Sequence, residues 1–150
     1  MAYEVFVFKP NHAKGFVPQK MQEDEWEWFQ NLSEVGYDDW LQDRRGTMTL
    51  EMDGEVVAIM GIIPLPHGGG YVWTFFSENM KASKFLAANR CVKGTLEGLK
   101  SLGYSWVNFA VRNDFTQGKR WAKMLGFSET ETQEDILGDG TMYTYWQKVL

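Results

Sequence analysis

The carboxyl-terminal half of the chain alternates strand, helix, strand and helix, and this order constrains the fold more than any other feature. The stretch from Tyr71 to Phe76 is rich in residues that favour strands. Residues 81–103 then form a helical pattern that ends at Gly103, with its apolar face made by Phe85, Ala88, Val92, Leu96 and Leu99. The next strand, YSWVNFAVR, therefore follows a helical crossover, which predicts that these two strands pair in parallel.

A second helix follows directly in the segment NDFTQGKRWAKML. Asn113 or Asp114 is its candidate N-cap, because a side-chain oxygen there accepts a hydrogen bond from the first helical N–H groups. Gly126 is predicted as the residue just past the helix, where a left-handed conformation favours glycine. The chain closes on a predicted strand, GTMYTYWQKVL, after a polar loop around ILGDGT.

The middle of the chain has the pattern of an antiparallel meander. Asp53-Gly54 lies between two strand-like runs in GTMTLEMDGEVVAIMGIIPLP, which is a strong signal for a two-residue hairpin. The glycines of HGGG then predict a turn before the strand that begins at Tyr71. We expect three consecutive strands here.

The amino-terminal part predicts one strand and two helices. Residues 2–10 are strand-like, and NHAKGFVPQK is predicted as a loop. A helix is predicted over 23–36, since it begins with acidic residues and ends on glycine, and a short second helix over 37–45. The predicted order is β-α-α-β-β-β-α-β-α-β in a single domain, residues 1–150, of α/β (α+β) class with a mixed, mostly antiparallel sheet.

Composition excludes several classes of partner. The chain has 150 residues and a formal net charge of −5, which disfavours binding to nucleic acid and to anionic membranes. Cys91 is the single cysteine, and no Cys/His spacing typical of a metal site occurs. No apolar run is long enough to span a membrane, and the first residues lack a signal-peptide pattern. We expect a cytoplasmic domain without a metal.

The element order, the hairpin EMDGEVVAIMGI and the ending RNDFTQGKRWAKMLGF resemble the GNAT superfamily of N-acetyltransferases. The similarity spans roughly residues 46–150. The segment YVWTFFSENMKASKFLAANRCVKGTLEGLKSLGYSWVNFAVRN is also similar to a small group of tailed-phage proteins, described as internal virion or head-assembly proteins with a GNAT-like fold. The resemblance implies a GNAT-like sheet with a splayed parallel pair and helices on both faces.

The resemblance also implies a binding site for acetyl-CoA as co-substrate. In that superfamily the pantetheine arm lies between the two splayed strands, and backbone N–H groups at the start of the following helix hold the pyrophosphate. Carried over to this chain, the implied cofactor-binding residues are Phe75, Phe76, Ser77, Lys81, Ala82, Ser83, Lys84 and Asn113. The two lysines compensate for the missing glycine-rich loop, or they are simply the solvated start of a helix.

Candidate catalytic residues are few. The implied general bases are Glu78, just after the fourth strand, and Asp114, just after the fifth, although capping or solvation explains either residue as well. Ala122 occupies the position where the superfamily has a tyrosine that protonates the leaving thiolate. Tyr143 or Tyr145 of the last strand is the alternative acid, or both pack on the sheet.

Other residues with reactive side chains have simpler interpretations. Glu55 lies in the hairpin turn, His67 is expected to be exposed in its glycine-rich turn, and Cys91 is expected to pack in the core. Trp121 is expected to pack against the fold as well.

Three functions therefore remain open at this point, the third being a phage-encoded modifier of a host defence protein that would use the same acetyl transfer on a lysine. The first is an acetyl-CoA-dependent N-acetyltransferase that acts on an unidentified amine. The second is a catalytically degenerate GNAT-fold phage protein that works in the virion or in head assembly, with phage structural proteins as partners. A phage-encoded protein would lie in the host cytoplasm or in the virion, and an edge strand would permit a homodimer.

Overall fold

The computed structural model describes residues 3–31 and 47–150. Its strands are β1 (Tyr3–Val7), β2 (Met48–Met52), β3 (Glu55–Leu65), β4 (Gly69–Phe76), β5 (Trp106–Arg112), β6 (Ser128–Glu134) and β7 (Tyr143–Val149). Its α-helices are α1 (Pro10–Ala13), α2 (Glu23–Asn31), α3 (Ala82–Ser101) and α4 (Thr116–Met124). The end of the first predicted helix and the whole second one, over 37–45, lie outside the described residues.

Within the described residues the strands form one seven-stranded sheet in the order β1-β2-β3-β4-β5-β7-β6. The pair β4–β5 is parallel, as the helical crossover predicted. The pairs β1–β2, β2–β3, β5–β7 and β6–β7 are antiparallel. The mixed, mostly antiparallel sheet and its parallel pair are therefore confirmed.

The residues group into two compact units, and each has its own core. The first unit comprises Met1–Ile62 and Thr74–Ala88, and the second comprises Ile63–Trp73 and Asn89–Leu150. Fully buried side chains of the first unit include Phe8, Leu50, Met52, Val57, Ile59 and Phe75. Buried side chains of the second include Val107, Val111, Ala122, Leu125, Tyr143 and Trp146. That the chain is a single domain stays a prediction.

In the first unit, helices lie on both faces of β4. Successive side chains of a strand point to opposite faces. Phe75 contacts Trp26 of α2, with ring centroids 5.0 Å apart, while Phe76 contacts Phe85 of α3 at 6.4 Å. The predicted arrangement of helices on both faces is thus confirmed.

Strong local signals are confirmed closely. The hairpin between β2 and β3 turns on Asp53 and Gly54, which have φ of 53° and 80°, as a turn of this length requires. Gly126, at φ 91°, follows α4. Its N–H bonds to the carbonyl of Lys123, and the N–H of Phe127 bonds to that of Ala122, which is the Schellman pattern of a helix end.

Three local predictions are wrong. Residues 128–134 form β6, which was not predicted, because SETETQE has no apolar alternation and almost every residue is exposed. The segment predicted as a loop, residues 11–20, includes most of α1, and a 3-10 turn over Lys20–Gln22 begins at its last residue. Finally, α4 begins after Phe115 without a side-chain cap. Asn113 and Asp114 make other contacts, which are described below.

Candidate functional site

The parallel pairing of β4 with β5 is short. It covers the pairs Gly69↔Trp106, Gly70↔Val107 and Tyr71↔Asn108 and stops there. Both strands continue further, β4 to Phe76 and β5 to Arg112. On its other side β5 pairs with β7 over all seven of its residues. The parallel ladder therefore covers only the first three residues of each strand, and the splay of the two strands stays a prediction.

The far end of β4 is hydrogen-bonded by a segment from the start of the chain. The side-chain amide of Gln22 donates from Nε2 to the carbonyl of Thr74 at 2.7 Å and accepts at Oε1 from the N–H of Phe76 at 2.9 Å. The N–H of Gln19 donates to the carbonyl of Phe76, and the N–H of Glu78 donates to that of Val17, both at 2.8 Å.

These bonds lie on the edge of β4 that faces away from β3. The N–H of Ser77 donates to the carbonyl of Val57 in β3, so backbone groups of its neighbours Phe76 and Glu78 point to the other edge. In the sheet order that other edge is the one along which β5 pairs further back. The segment Val17–Gln22 therefore takes up part of the edge that the β4–β5 ladder leaves.

At the start of α3, backbone donors find no acceptor among the described residues. The carbonyl of Lys81 accepts the first helical bonds, from Lys84 and Phe85. Lys81 is therefore the N-cap, but a lysine side chain has no acceptor with which to cap. No acceptor for the N–H groups of Lys81, Ala82 and Ser83 lies within the part of the chain that the structure describes. Such a helix start favours an anion.

Charged side chains beside this helix start are partly paired. Lys84 Nζ lies 3.4 Å from Oε2 of Glu55, and Nδ2 of Asn79 donates to Oε1 of the same carboxylate at 3.3 Å. Glu55 therefore lies next to the start of α3. Its position in the hairpin turn did not indicate this contact. Lys81 and Glu78 are exposed.

The residues between β4 and α3 form a compact turn. The hydroxyl of Ser77 accepts from the N–H of Asn79 at 3.1 Å, and its carbonyl accepts from the N–H of Met80 at 3.0 Å. Ser77 is 5% exposed, and Phe75 and Phe76 are buried as well. These three residues support the turn from the inside, while Lys81, Ala82 and Ser83 are exposed.

The end of β5 is held by its own neighbours. Asn113 Nδ2 donates to Gln133 Oε1 at 3.3 Å, and its Oδ1 accepts from the hydroxyl of Thr144. Asp114 Oδ1 lies 2.7 Å from Arg112 Nε in an ion pair. These contacts explain why neither residue caps α4. The cofactor role of Asn113 and the catalytic role of Asp114 stay predictions.

The second unit lacks an acid where the resembled superfamily has a tyrosine. Ala122 is fully buried, and Trp121 packs on Phe109 while its Nε1 donates to Asn89 Oδ1 at 3.1 Å, which confirms the packing predicted for it. Tyr143 is buried. The hydroxyl of Tyr145 donates to Glu134 Oε2, and burial together with this carboxylate raises the pKa of Tyr145 to about 12. A phenol with so high a pKa donates its proton poorly near neutral pH, which disfavours Tyr145 as the general acid.

The remaining reactive residues are unremarkable in their surroundings. His67 is exposed at φ 61°, as expected for its turn. Cys91 is half-buried rather than fully buried, and burial raises the pKa of its thiol, which disfavours the nucleophilic thiolate. Across residues 3–31 and 47–150 no group of three or more His, Cys, Asp or Glu side chains is arranged to hold a metal ion. None of the described helices is long and apolar enough to cross a membrane.

This chain is similar to known proteins in its structure but not in its sequence. No protein-family model matches the chain, and no curated protein matches it. Solved structures do match over nearly the whole chain. The GNAT-family acetyltransferase from Bacillus anthracis superposes with a TM-score of 0.73 and 10% identity, covering 99% of this chain and 95% of that one.

Two further structures give the same picture. The ribosomal-protein-alanine N-acetyltransferase from Brucella melitensis has a TM-score of 0.71 and 14% identity, covering 98% of this chain and 99% of that one. The acetyltransferase yncA from Salmonella typhimurium, described with its cofactor acetyl-CoA, has a TM-score of 0.70 and 12% identity, covering 100% and 95%. The chain has the GNAT fold. At such identities the likeness establishes the fold alone.

Two contacts of this GNAT-fold site were absent from the sequence prediction. Gln22 lies between the predicted loop, which ends at Lys20, and the helix predicted from Glu23, and its partners are 52 and 54 residues away. Glu55 reaches Lys84 over 29 residues. No local pattern marks such contacts, because a lone glutamine or glutamate before a helix or after a turn is typical of the surface.

Proposed function

We propose that this protein is an N-acetyltransferase that uses acetyl-CoA as co-substrate and an amine as acceptor. The observation that carries the proposal is the start of α3, where the N–H groups of Lys81, Ala82 and Ser83 lack acceptors within the described residues. A turn of five residues separates this helix start from the end of β4, whose ladder with β5 ends at Tyr71. In the GNAT fold this is the position that suits a pyrophosphate.

The helix start fits acetyl-CoA at its anionic end. Three neighbouring N–H groups and the ammonium of Lys81 would hold the phosphates, while Lys84 would contribute less because Glu55 already pairs with it. Ser77, Phe75 and Phe76 would support this turn from below. The pantetheine arm fits the edge of β4 only where that edge is not bonded to residues 17–22.

The chain's own residues would then handle one proton. Acetyl-CoA supplies an acyl group activated as a thioester. An amine attacks only when unprotonated, so a carboxylate must accept its proton. Glu78, exposed just after β4, is the proposed base, and Asp114 is the weaker candidate because Arg112 pairs with it. With Ala122 at the usual tyrosine position, we propose that solvent protonates the leaving thiolate.

Calorimetric titration with acetyl-CoA tests the binding. We expect Lys81→Ala to weaken binding roughly three- to tenfold, since it removes a charge next to the phosphates. Lys93→Ala, an exposed lysine further along α3, is the matched control and should bind like the wild type. Equal affinity of all three proteins would contradict the phosphate assignment.

Release of free thiol with a panel of amines tests the chemistry. Glu78→Gln should lower the turnover rate by roughly a hundredfold while acetyl-CoA binding is retained. Full activity of this variant would remove Glu78 as the base.

A second function has specific observations in its favour. Ala122 leaves the site without its usual acid, and residues 17–22 bond to the edge of β4. Both features suit a GNAT-fold protein without catalysis, and the phage virion or head-assembly role is the form that the sequence resemblance suggests. Absence of binding at millimolar acetyl-CoA would favour this function. Partners of either kind, including a second copy of the chain, stay predictions.

A further inference from the structure

We infer that the segment Val17–Gln22, hereafter the strap, is a built-in competitor that must leave the edge of β4 before an acyl-CoA can use it. The inference rests on the proposed function and adds a means of regulation to the same site.

The strap imitates a ligand that carries amides. Gln22 presents one primary amide, which donates to the carbonyl of Thr74 and accepts from the N–H of Phe76. An extended chain with secondary amides, such as pantetheine, offers a strand edge the same kinds of group. Exchange of one amide for another conserves the number of hydrogen bonds, so the strap and the arm compete on nearly equal terms.

The strap is also held by few contacts. Besides the Gln22 amide, its bonds to this edge are those at Gln19 and Val17, which form an isolated antiparallel bridge between Pro18 and Ser77. Gln22 is 8% exposed and Pro18 is buried, whereas Val17 is 44% exposed. A continuous ladder would be harder to displace, because each residue would add its own bond.

The elements on either side of the strap differ: α2 is packed on β4 independently of the strap, and Gly15 precedes the strap as a candidate hinge. On the far side of the strap, Trp26 of α2 packs on Phe75 and is 6% exposed, so α2 stays attached without the strap. On the near side, Gly15 has φ of 71° and open space around it, which suits a hinge. Release therefore involves residues 15–22 and leaves the core of the first unit in place.

Two variants loosen the strap by different means. Gln22→Ala removes the side-chain amide. Gln19→Pro removes one backbone donor, and the φ of −55° at this residue already suits proline. Gln147→Ala, at an exposed position on β7, is the matched control. Amide hydrogen exchange at Phe76 reports whether the edge has been freed.

Calorimetry with acetyl-CoA then tests the inference. We expect both strap variants to bind roughly tenfold tighter than the wild type, and Gln147→Ala to bind unchanged. We also expect the Phe76 amide to exchange faster in Gln22→Ala and to regain protection when acetyl-CoA is added.

The possible failures are distinguishable. Equal affinity of wild type and both strap variants, with binding present, overturns the strap and leaves the proposed function intact. Unchanged exchange at Phe76 in Gln22→Ala overturns it as well, because the amide would then not depend on Gln22. Absence of binding in every protein, including the strap variants, overturns the proposed function and with it the competition.

Discussion

The ends of the two parallel strands are completed in different ways. Beyond the short parallel ladder, β5 is held on its other side by seven consecutive pairs with β7, and its last residues are tied by Asn113 to Gln133 and Thr144. The end of β4, along the edge that faces away from β3, is instead bonded by one glutamine side chain and an isolated bridge. The first arrangement is a scaffold, whereas the second can exchange partners.

This difference shows how one sheet can combine a rigid strand pair, β5 with β7, with a strand end whose hydrogen-bond partner can be replaced. Ladder bonds share a common geometry, so the loss of one is resisted by its neighbours. Side-chain amides bond locally and are released one at a time. Among residues 3–31 and 47–150, the first N–H groups of α3 have no acceptor, whereas the end of β4 is bonded to groups of residues 17–22.

The largest expected effect comes from breaking the scaffold. Trp146 of β7 is 1% exposed, and Trp146→Ala should lower the free energy of unfolding by about 3–5 kcal/mol through a large cavity. Chemical denaturation measures it, with Gln147→Ala as the exposed neighbour that should change stability by less than about 0.5 kcal/mol. A small effect of Trp146→Ala would mean that the scaffold does not depend on β7.

A smaller effect is expected where β5 ends. Asn113→Ala leaves the hydroxyl of Thr144, which is 3% exposed, without its acceptor, and should cost about 1–3 kcal/mol. The double variant with Thr144→Val should recover part of this loss, since no hydroxyl is then left unsatisfied. Additive losses in the double-mutant cycle would contradict the assigned role of Asn113.

The scaffold should also show a specific loss of stability in alkali. The pKa of Tyr145 is raised to about 12, above its ordinary value near 10, so the folded state retains a proton that the unfolded state releases. The stabilisation is complete below about pH 10 and is lost as the pH rises towards 12. Stability should therefore fall more steeply over this range in the wild type than in Tyr145→Phe; parallel curves would rule out the contact with Glu134.

The smallest expected effect lies at the start of α3. The pair of Glu55 and Lys84 is exposed on its acidic side, so Glu55→Gln should change the free energy of unfolding by less than about 1 kcal/mol. The same change frees Lys84 and should tighten binding of acetyl-CoA by a few-fold in calorimetry. A loss of affinity would indicate that Glu55 holds Lys84 in position for binding, rather than neutralising the charge of Lys84.

Much of the fold was predictable because its signals are local. The Asp53-Gly54 turn, the apolar face of α3 and the glycine after α4 each specify a structure within a few residues. The strand β6 was missed because SETETQE forms an exposed edge, where no core imposes an apolar alternation. The candidate N-caps of α4 were wrong because the side chain of Asn113 bonds to strands that come later in the chain, while Asp114 pairs with Arg112 of the preceding strand.

The sequence by itself determined the order of elements from β2 to α4, the parallel pair and the absence of a tyrosine at position 122. Only the tertiary structure decided what occupies the end of β4. Gln22 finds its partners 52 and 54 residues away, and those partners are backbone groups that every residue possesses. A contact made to backbone leaves no trace in the identity of the residue contacted, so it becomes visible only when the chain is folded.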